Sequence, residues 1–121
     1  MLRPEAQAQL AQARRNHRLF EQLWMAGEFL DWSIIVLFYT ALHLVDAHAA
    51  QAGMPPFQNH VERRGYVYQE VRPIWRRYRF LDNDSRRARY ELWLPTNVDV
   101  ETALRDFERI AGHLRSDGIA W

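Results

Sequence analysis

The sequence predicts an all-α protein: an up-and-down bundle of four main helices plus one short helix, in a single domain covering residues 1–121. Three observations predict this fold class. The stretch from residue 31 to 52 is apolar on every side of a helix, while other stretches carry a single apolar stripe at helical spacing. No segment shows the alternating pattern of a strand. At 121 residues the chain is long enough to bury one core without disulfides, and it has no cysteine.

The stretch 31–52 is predicted to be the central helix, ringed by the others. Its apolar residues cover all sides of the helix, as expected for a buried one: Trp32, Ile34, Ile35, Val36, Leu37, Phe38, Tyr39, Ala41, Leu42, Leu44 and Val45. Because His43, Asp46 and His48 interrupt it before the ~20 apolar residues that a bilayer requires, we expect no membrane span. At ~100° per residue, Tyr39, His43 and Asp46 fall within about one sixth of the circumference. This polar stripe is the strongest functional signal in the chain.

A first helix over residues 3–27 is predicted from an apolar stripe with three- and four-residue spacing, with Gly27 as its end. After the turn-forming segment 53–58, a short third helix is expected to begin near His60. Asn59 and Glu62 have the spacing of a capping box. This helix stops before Pro73, because a residue that precedes proline avoids helical backbone angles.

Residues 73–92 are predicted to form one helix, although the run 82–85 resembles a turn on its own. The apolar stripe continues through that run without a break. The last helix follows a cap at Thr96 or Asn97 and ends at Gly118.

Composition excludes several functions. The net charge of +1 provides no global attraction to nucleic acid or to anionic membranes, and the absence of cysteine excludes a thiolate metal site. No secretory leader follows Met1, so we expect a cytoplasmic location. All 16 basic residues are arginine, which a GC-rich genome explains most simply. Arginine nevertheless binds phosphate with two parallel hydrogen bonds and stacks on rings, unlike lysine.

Three segments, in order, resemble the HEPN family (higher eukaryote and prokaryote nucleotide-binding domains): FYTALHLVDAHAAQAG, NHVERRGYV and YRFLDNDSRRARYE. The positions that match the family pattern are Phe38, Tyr39, Ala41 and His43, then Gly53 and His60, then Arg86 through Tyr90. The resemblance covers about residues 20 to 115. It implies a helical bundle that dimerises. Many members are ribonucleases in toxin–antitoxin or defence settings, and others only bind or scaffold.

The chain departs from the ribonuclease members in one respect. Those members carry an arginine and a histidine separated by four to six residues. Here the nearest pairs are Arg105 with His113, separated by seven, and Arg109 with His113, separated by three. This departure favours a non-catalytic module that binds nucleotide or RNA, or that acts as a scaffold. Two alternatives stay open: a metal-independent ribonuclease with His43 or His60 as general acid or base, and a purely protein-interacting bundle.

The candidate residues for binding nucleotide or RNA are Tyr39, His43, Asp46, His60, Arg63, Arg64, Arg86 and Arg89. Each group also has a structural interpretation. The stripe of Tyr39, His43 and Asp46 fits a hydrogen-bonded network inside the bundle, which buried polar groups require. His60 and its neighbouring arginines fit either a phosphate site at a helix N-terminus or an ordinary charged surface.

The segment 72–90 interleaves arginines with aromatic rings, a combination used to bind single-stranded RNA and also typical of a solvated helix face. Of these arginines, Arg89 is the strongest candidate because it lies in the family segment. No metal or other cofactor is expected. His43 and His48 are five residues apart and diverge on a helix, unlike the four-residue spacing of helical zinc ligands.

We expect a homodimer, on two grounds: the HEPN resemblance and 16 aromatic residues, many for one small core. Trp93 and Trp121 are the candidate interface residues, because tryptophan is enriched in interface cores. The alternative partner implied by the resemblance is a cognate nucleotidyltransferase antitoxin.

Overall fold

The computed structural model describes residues 1–121 and is helical throughout, with no strand. Its elements are α1 (Pro4–Ala26), α2 (Leu30–Gln51), α3 (His60–Glu70), a 3₁₀ turn (Arg72–Ile74), α4 (Trp75–Tyr90) and α5 (Asn97–Ser116). Four long helices and one short helix are therefore present, which confirms the predicted all-α class. The HEPN-like arrangement stays a prediction.

Helices α1 and α2 form an antiparallel hairpin around a tight turn. Pro4 is at the start of α1, where its missing N–H costs nothing. At the other end, Gly27 adopts a φ of 72° and its N–H donates to the carbonyl of Leu23. This left-handed cap is the role predicted for Gly27. At the end of the hairpin opposite the turn, the two helices are joined by a hydrogen bond: the backbone N–H of Arg3 donates to Gln51 Oε1 at 2.7 Å.

Helix α2 is the centre of the bundle, as predicted. Its residues from Ile34 to Leu44 are largely buried against α1, α4 and α5. Trp32 is the exception, with 54% of its surface exposed. By length and composition alone α2 also qualifies as a membrane-spanning helix, and 67% of its most apolar window is buried within the protein. The expectation that it spans no membrane stays a prediction.

Helix α3 begins at the predicted position, with half of the predicted cap. The Asn59 side chain accepts a hydrogen bond from the Glu62 N–H at 2.9 Å. The reciprocal bond of a capping box is displaced by one residue, because Glu62 accepts from the N–H of Gln58 and not from that of Asn59. The helix ends at Glu70, and the 3₁₀ turn carries the chain past Pro73 into α4.

Helix α4 runs without interruption through residues 82–85, as the apolar stripe predicted. Asp82 and Ser85 point into the protein and are buried. The predicted helix over 73–92 is longer than the observed one, because α4 ends at Tyr90. Leu92, the last residue of the predicted stripe, is 93% exposed and adopts a φ of 52°.

Helix α5 begins behind a complete capping box. The Thr96 hydroxyl accepts from the N–H of Asp99, whose carboxylate accepts in turn from the N–H of Thr96 at 2.8 Å. The prediction of a cap at Thr96 or Asn97 is thus resolved in favour of Thr96. A left-handed Gly118 follows the last turn.

The directions of the helices bring two connections to the same end of the molecule. His48, late in α2, contacts Asp117 just beyond α5, so the C-terminal ends of these helices lie side by side. The α4–α5 loop must therefore lie at the other end, next to the α1–α2 turn. Exposed apolar side chains from both connections lie at this end, which we call the apolar end: Met25, Phe29, Trp32, Tyr90, Leu92, Leu94 and Val98.

Candidate functional site

The polar stripe of α2 faces three different helices, and each of its residues has a partner from one of them. Tyr39 meets α4, His43 meets α1 and Asp46 meets α3. The three side chains are half-buried and do not hydrogen-bond to one another. A carboxylate-oriented imidazole, which would need Asp46 to bind His43, is therefore not formed.

Asp46 and Arg63 form the strongest ion pair of the site. Arg63 Nε donates to Asp46 Oδ1 at 2.7 Å, and Arg63 Nη2 donates to Oδ2 at 3.1 Å. Only 11% of the arginine side chain and 14% of the aspartate side chain are exposed. The two parallel bonds fix the guanidinium plane of Arg63. Its third nitrogen, Nη1, lies 3.3 Å from His60 Nδ1.

Arg89 is held in the site without a carboxylate. Its Nη1 donates to the Tyr39 hydroxyl at 2.7 Å, and its Nε donates to the carbonyl of Ser85 at 3.3 Å. The guanidinium carbon lies 5.6 Å from the centre of the Tyr39 ring. Both partners are neutral, so the positive charge of Arg89 is oriented but not neutralised.

Both histidines of the site favour the neutral form. Burial lowers the pKa of His43 below its ordinary value of 6.5, and the nearby Arg63 charge lowers it further while Asp46 opposes the change. Burial likewise lowers the pKa of His60, with Arg63, Arg89 and Arg64 adding to the effect against Asp82. The imidazoles are therefore uncharged at pH 7.

The hydrogen bonds of the two histidines fix different tautomers. A guanidinium can only donate, so His60 Nδ1 accepts from Arg63 and the ring proton is on Nε2. His43 Nδ1 lies 2.7 Å from Gln9 Oε1 and donates to it, which leaves Nε2 as an acceptor. The site therefore offers one neutral imidazole donor and one neutral imidazole acceptor.

Arg64 extends the positive charge around the start of α3. Its Nη1 donates to the buried Asp82 at 3.1 Å. We call the seven residues at this site the His/Arg cluster: Tyr39, His43, Asp46, His60, Arg63, Arg64 and Arg89. With neutral histidines, its three arginines exceed the two neighbouring aspartates, Asp46 and Asp82, by one positive charge.

Arg86 lies apart from the contacts of the His/Arg cluster. It is exposed on α4 and lines a cleft of about 280 Å³ together with Arg64, Asp82 and Trp75. Of the other candidate residues, only Arg64 lines the same cleft as Arg86.

Five of the seven arginines of segment 72–90 lie over aromatic rings of the same chain. The guanidinium of Arg72 is 3.7 Å from the centre of the Tyr68 ring, and that of Arg87 is 4.0 Å from the Trp93 ring. Arg79 over Trp75 and Arg76 over Phe80 are more distant, at 5.7 and 5.5 Å. This pairing matches the interpretation as a solvated helix face, since the rings are covered by the protein's own cations.

Sequence analysis missed two residues of the site. Gln9 fixes the orientation of His43, and Asp82 anchors Arg64. A signal existed for Asp82, since it is four residues after the buried Tyr78 and therefore falls on the core face of α4. No signal was present for Gln9, an ordinary polar residue in α1.

The two tryptophans expected at a dimer interface pack against the core of their own chain. Trp121 contacts the rings of His17 and Phe107 at 5.0 and 5.7 Å, and Trp93 is stacked by Arg87. Seven of the exposed large apolar side chains belong instead to the apolar end.

The structure brings together no group of three or more histidine or carboxylate side chains that could hold a metal ion. Comparison of the chain with family models, curated proteins and solved structures finds no match. Its geometry therefore defines a class only: a five-helix all-α protein with a half-buried cationic cluster.

Proposed function

We propose that this chain is a HEPN-like module that binds a nucleotide or RNA through the His/Arg cluster without cleaving it. The observation that supports this most is Arg89. A half-buried guanidinium oriented by Tyr39 and by a backbone carbonyl, and left without a carboxylate, is suited to a phosphate oxygen.

The neighbouring groups add to the same preference. The excess positive charge of the cluster favours an anion. The neutral His60 offers its Nε2–H as a further donor, while Arg63 holds it in place. His43 offers an acceptor, which suits a hydroxyl or amine of the same ligand.

Binding is tested by the fluorescence anisotropy of a labelled single-stranded RNA and by calorimetry with adenosine monophosphate. Arg89→Ala is expected to weaken binding by about tenfold or more, because a charge-assisted hydrogen bond contributes about 1.5–3 kcal/mol. Arg109→Ala is the matched control, since Arg109 is exposed on α5 and makes no hydrogen bond or ion pair. Equal losses in the two variants would indicate only nonspecific attraction and refute the site.

A metal-independent ribonuclease is the second candidate function. It is favoured by one observation: two imidazoles lie in the same arginine-rich cluster, and a neutral imidazole is a general base at pH 7. The lowered pKa of both rings works against this candidate, because the general acid must be a protonated imidazole. The missing arginine–histidine spacing argues against it. Incubation with transfer RNA and total RNA in the presence of a chelator distinguishes the two. Cleavage that is lost in His43→Ala or His60→Ala would replace the binding proposal, and absence of both binding and cleavage would leave a purely protein-interacting bundle.

For partners, we propose a homodimer formed through the apolar end in place of Trp93 and Trp121. Exposed apolar side chains gathered at one end of a molecule are typical of interaction sites. A nucleotidyltransferase antitoxin is the alternative occupant, and a pull-down from the native host separates the two. A cytoplasmic toxin–antitoxin or defence setting belongs to the same proposal.

A further inference from the structure

A second pocket lies between α1 and α5, formed by residues that the His/Arg cluster does not use. It has a volume of about 360 Å³ and five lining residues: Arg14, His17, Arg18, Arg115 and Trp121. We call it the α1–α5 pocket. Arg14, His17 and Arg18 share one face of α1 because they are three and four residues apart, while Arg115 comes from the last turn of α5.

The charge of this pocket is not balanced. No carboxylate lies within ion-pair distance of Arg14, Arg18 or Arg115, whereas four other arginines of the chain each have an aspartate partner. The one acidic side chain in contact with the lining is Glu21, which is 3.2 Å from His17 Nδ1 and largely exposed. Converging guanidinium groups repel one another, and a bound anion removes that repulsion.

The floor of the pocket is aromatic. The His17 ring stacks on Phe107 with centroids 5.7 Å apart, and the edge of Trp121 meets His17 at 5.0 Å with an interplanar angle of 86°. Phe107 is buried in the core. The lining residues of α1 and of the C-terminal segment are thereby held together across the groove.

Trp121 also leaves a donor without a partner. Its Nε1 is buried and has no hydrogen-bond acceptor. An unsatisfied buried donor is unfavourable. Because this N–H is closed to the surface, a ligand in the pocket reaches it only after the indole ring turns, and the donors of the site are therefore its arginines.

We propose that the α1–α5 pocket is a binding site for a phosphate-bearing small molecule, independent of the His/Arg cluster. Three unneutralised arginines supply forked donors for phosphate oxygens. The volume leaves room for more than a single phosphate group. The site therefore suits pyrophosphate or the phosphate of a small organic molecule.

The test is calorimetric titration of the full chain at low ionic strength, with inorganic pyrophosphate in one arm and a sugar phosphate in the other. Binding in the first arm alone identifies free phosphate as the ligand, and tighter binding in the second identifies an organic phosphate. Either result supports the pocket only if the variants below behave as expected. No binding in either arm refutes it.

Arg14→Ala and Arg115→Ala are each expected to weaken binding roughly tenfold, by the loss of a charge-assisted bond. Arg15→Ala is the matched control, since it removes the same charge from the adjacent position, outside the pocket lining.

The outcome that contradicts the proposal is equal weakening in Arg15→Ala and Arg14→Ala, because nonspecific attraction then accounts for binding. Arg89→Ala is expected to remove at most the part of the binding that belongs to the His/Arg cluster, and Arg14→Ala or Arg115→Ala is expected to weaken the binding that remains in that background. Loss of all binding in Arg89→Ala alone would place the ligand in the His/Arg cluster and refute a second site. Arg14, Arg15 and Arg115 are exposed, so folding, checked by circular dichroism, is expected to be retained in these variants.

Discussion

At the scale of single residues, His43 and His60 link the site to pH. Both have a pKa below 6.5 in the folded protein, chiefly because they are buried. In the unfolded chain their pKa is the ordinary one, so between the two values the unfolded state binds more protons. Their neutral forms therefore contribute stability that is present above pH 6.5 and is lost as the pH falls toward the folded pKa.

Acidification from pH 7.5 to 5 is thus expected to lower the urea midpoint of unfolding. In the double variant His43→Gln/His60→Gln, the midpoint is expected to fall less over this pH range. The reason is that glutamine takes up no proton in either state. Urea titrations of both proteins at the two pH values measure the difference. An identical loss in the double variant would contradict the assignment of the effect to these histidines.

The residue scale also shows how far the candidate site could be predicted. The side chains of Tyr39, His43 and Asp46 were correctly placed on one face of α2, because that face follows from helical spacing alone. Their partners did not follow from it. Arg63 is 17 positions from Asp46, and Arg89 is 50 positions from Tyr39. Only the packing of α3 and α4 against α2 decides these pairs.

At the scale of elements, local signals located all five helices. The caps at Gly27, Asn59 and Thr96 are formed by hydrogen bonds between residues a few positions apart. Such caps can therefore be predicted from the sequence. The stripe of α4 was over-extended at Leu92. There the chain turns through a left-handed backbone conformation, and the leucine side chain points into solvent.

Helix α2 provides the test at this scale. Leu37→Ala is expected to destabilise the protein by about 3 kcal/mol, because Leu37 is fully buried and its truncation leaves a cavity. Trp32→Ala, in the same helix but 54% exposed, is expected to cost less than about 1 kcal/mol. Chemical denaturation measures both. A larger effect at Trp32 than at Leu37 would show that α2 is buried differently.

At the scale of the whole molecule, the apolar end is the feature that a single chain leaves unexplained. Leu92 and Leu94 are 93% and 81% exposed, and Trp32 from α2 lies at the same end. Leaving such side chains in water forgoes about 25 cal/mol per Å² of burial. Burial of these side chains against a second copy of the chain would recover this free energy.

Light scattering at micromolar concentration is therefore expected to give twice the chain mass of 14.5 kDa. The double variant Leu92→Asn/Leu94→Gln is expected to be monomeric, and asparagine tolerates the left-handed backbone at position 92. Val61→Ser removes an apolar residue of α3 that is 69% exposed and lies away from this end, and it serves as the control. A wild-type particle of 14.5 kDa would rule out the homodimer.

The sequence by itself determined the helical class, the capped helix ends at Gly27, Asn59 and Thr96, and the central position of α2. These properties depend on spacing and capping within a few residues, and the signals are therefore local. Only the tertiary structure decided which charges meet. It paired Asp46 with Arg63, left Arg89 without a carboxylate, and brought Arg14 of α1 and Arg115 of α5 to one pocket. Such contacts depend on which helix faces pack together, and helical periodicity fixes the face of each residue but not the neighbour it will meet.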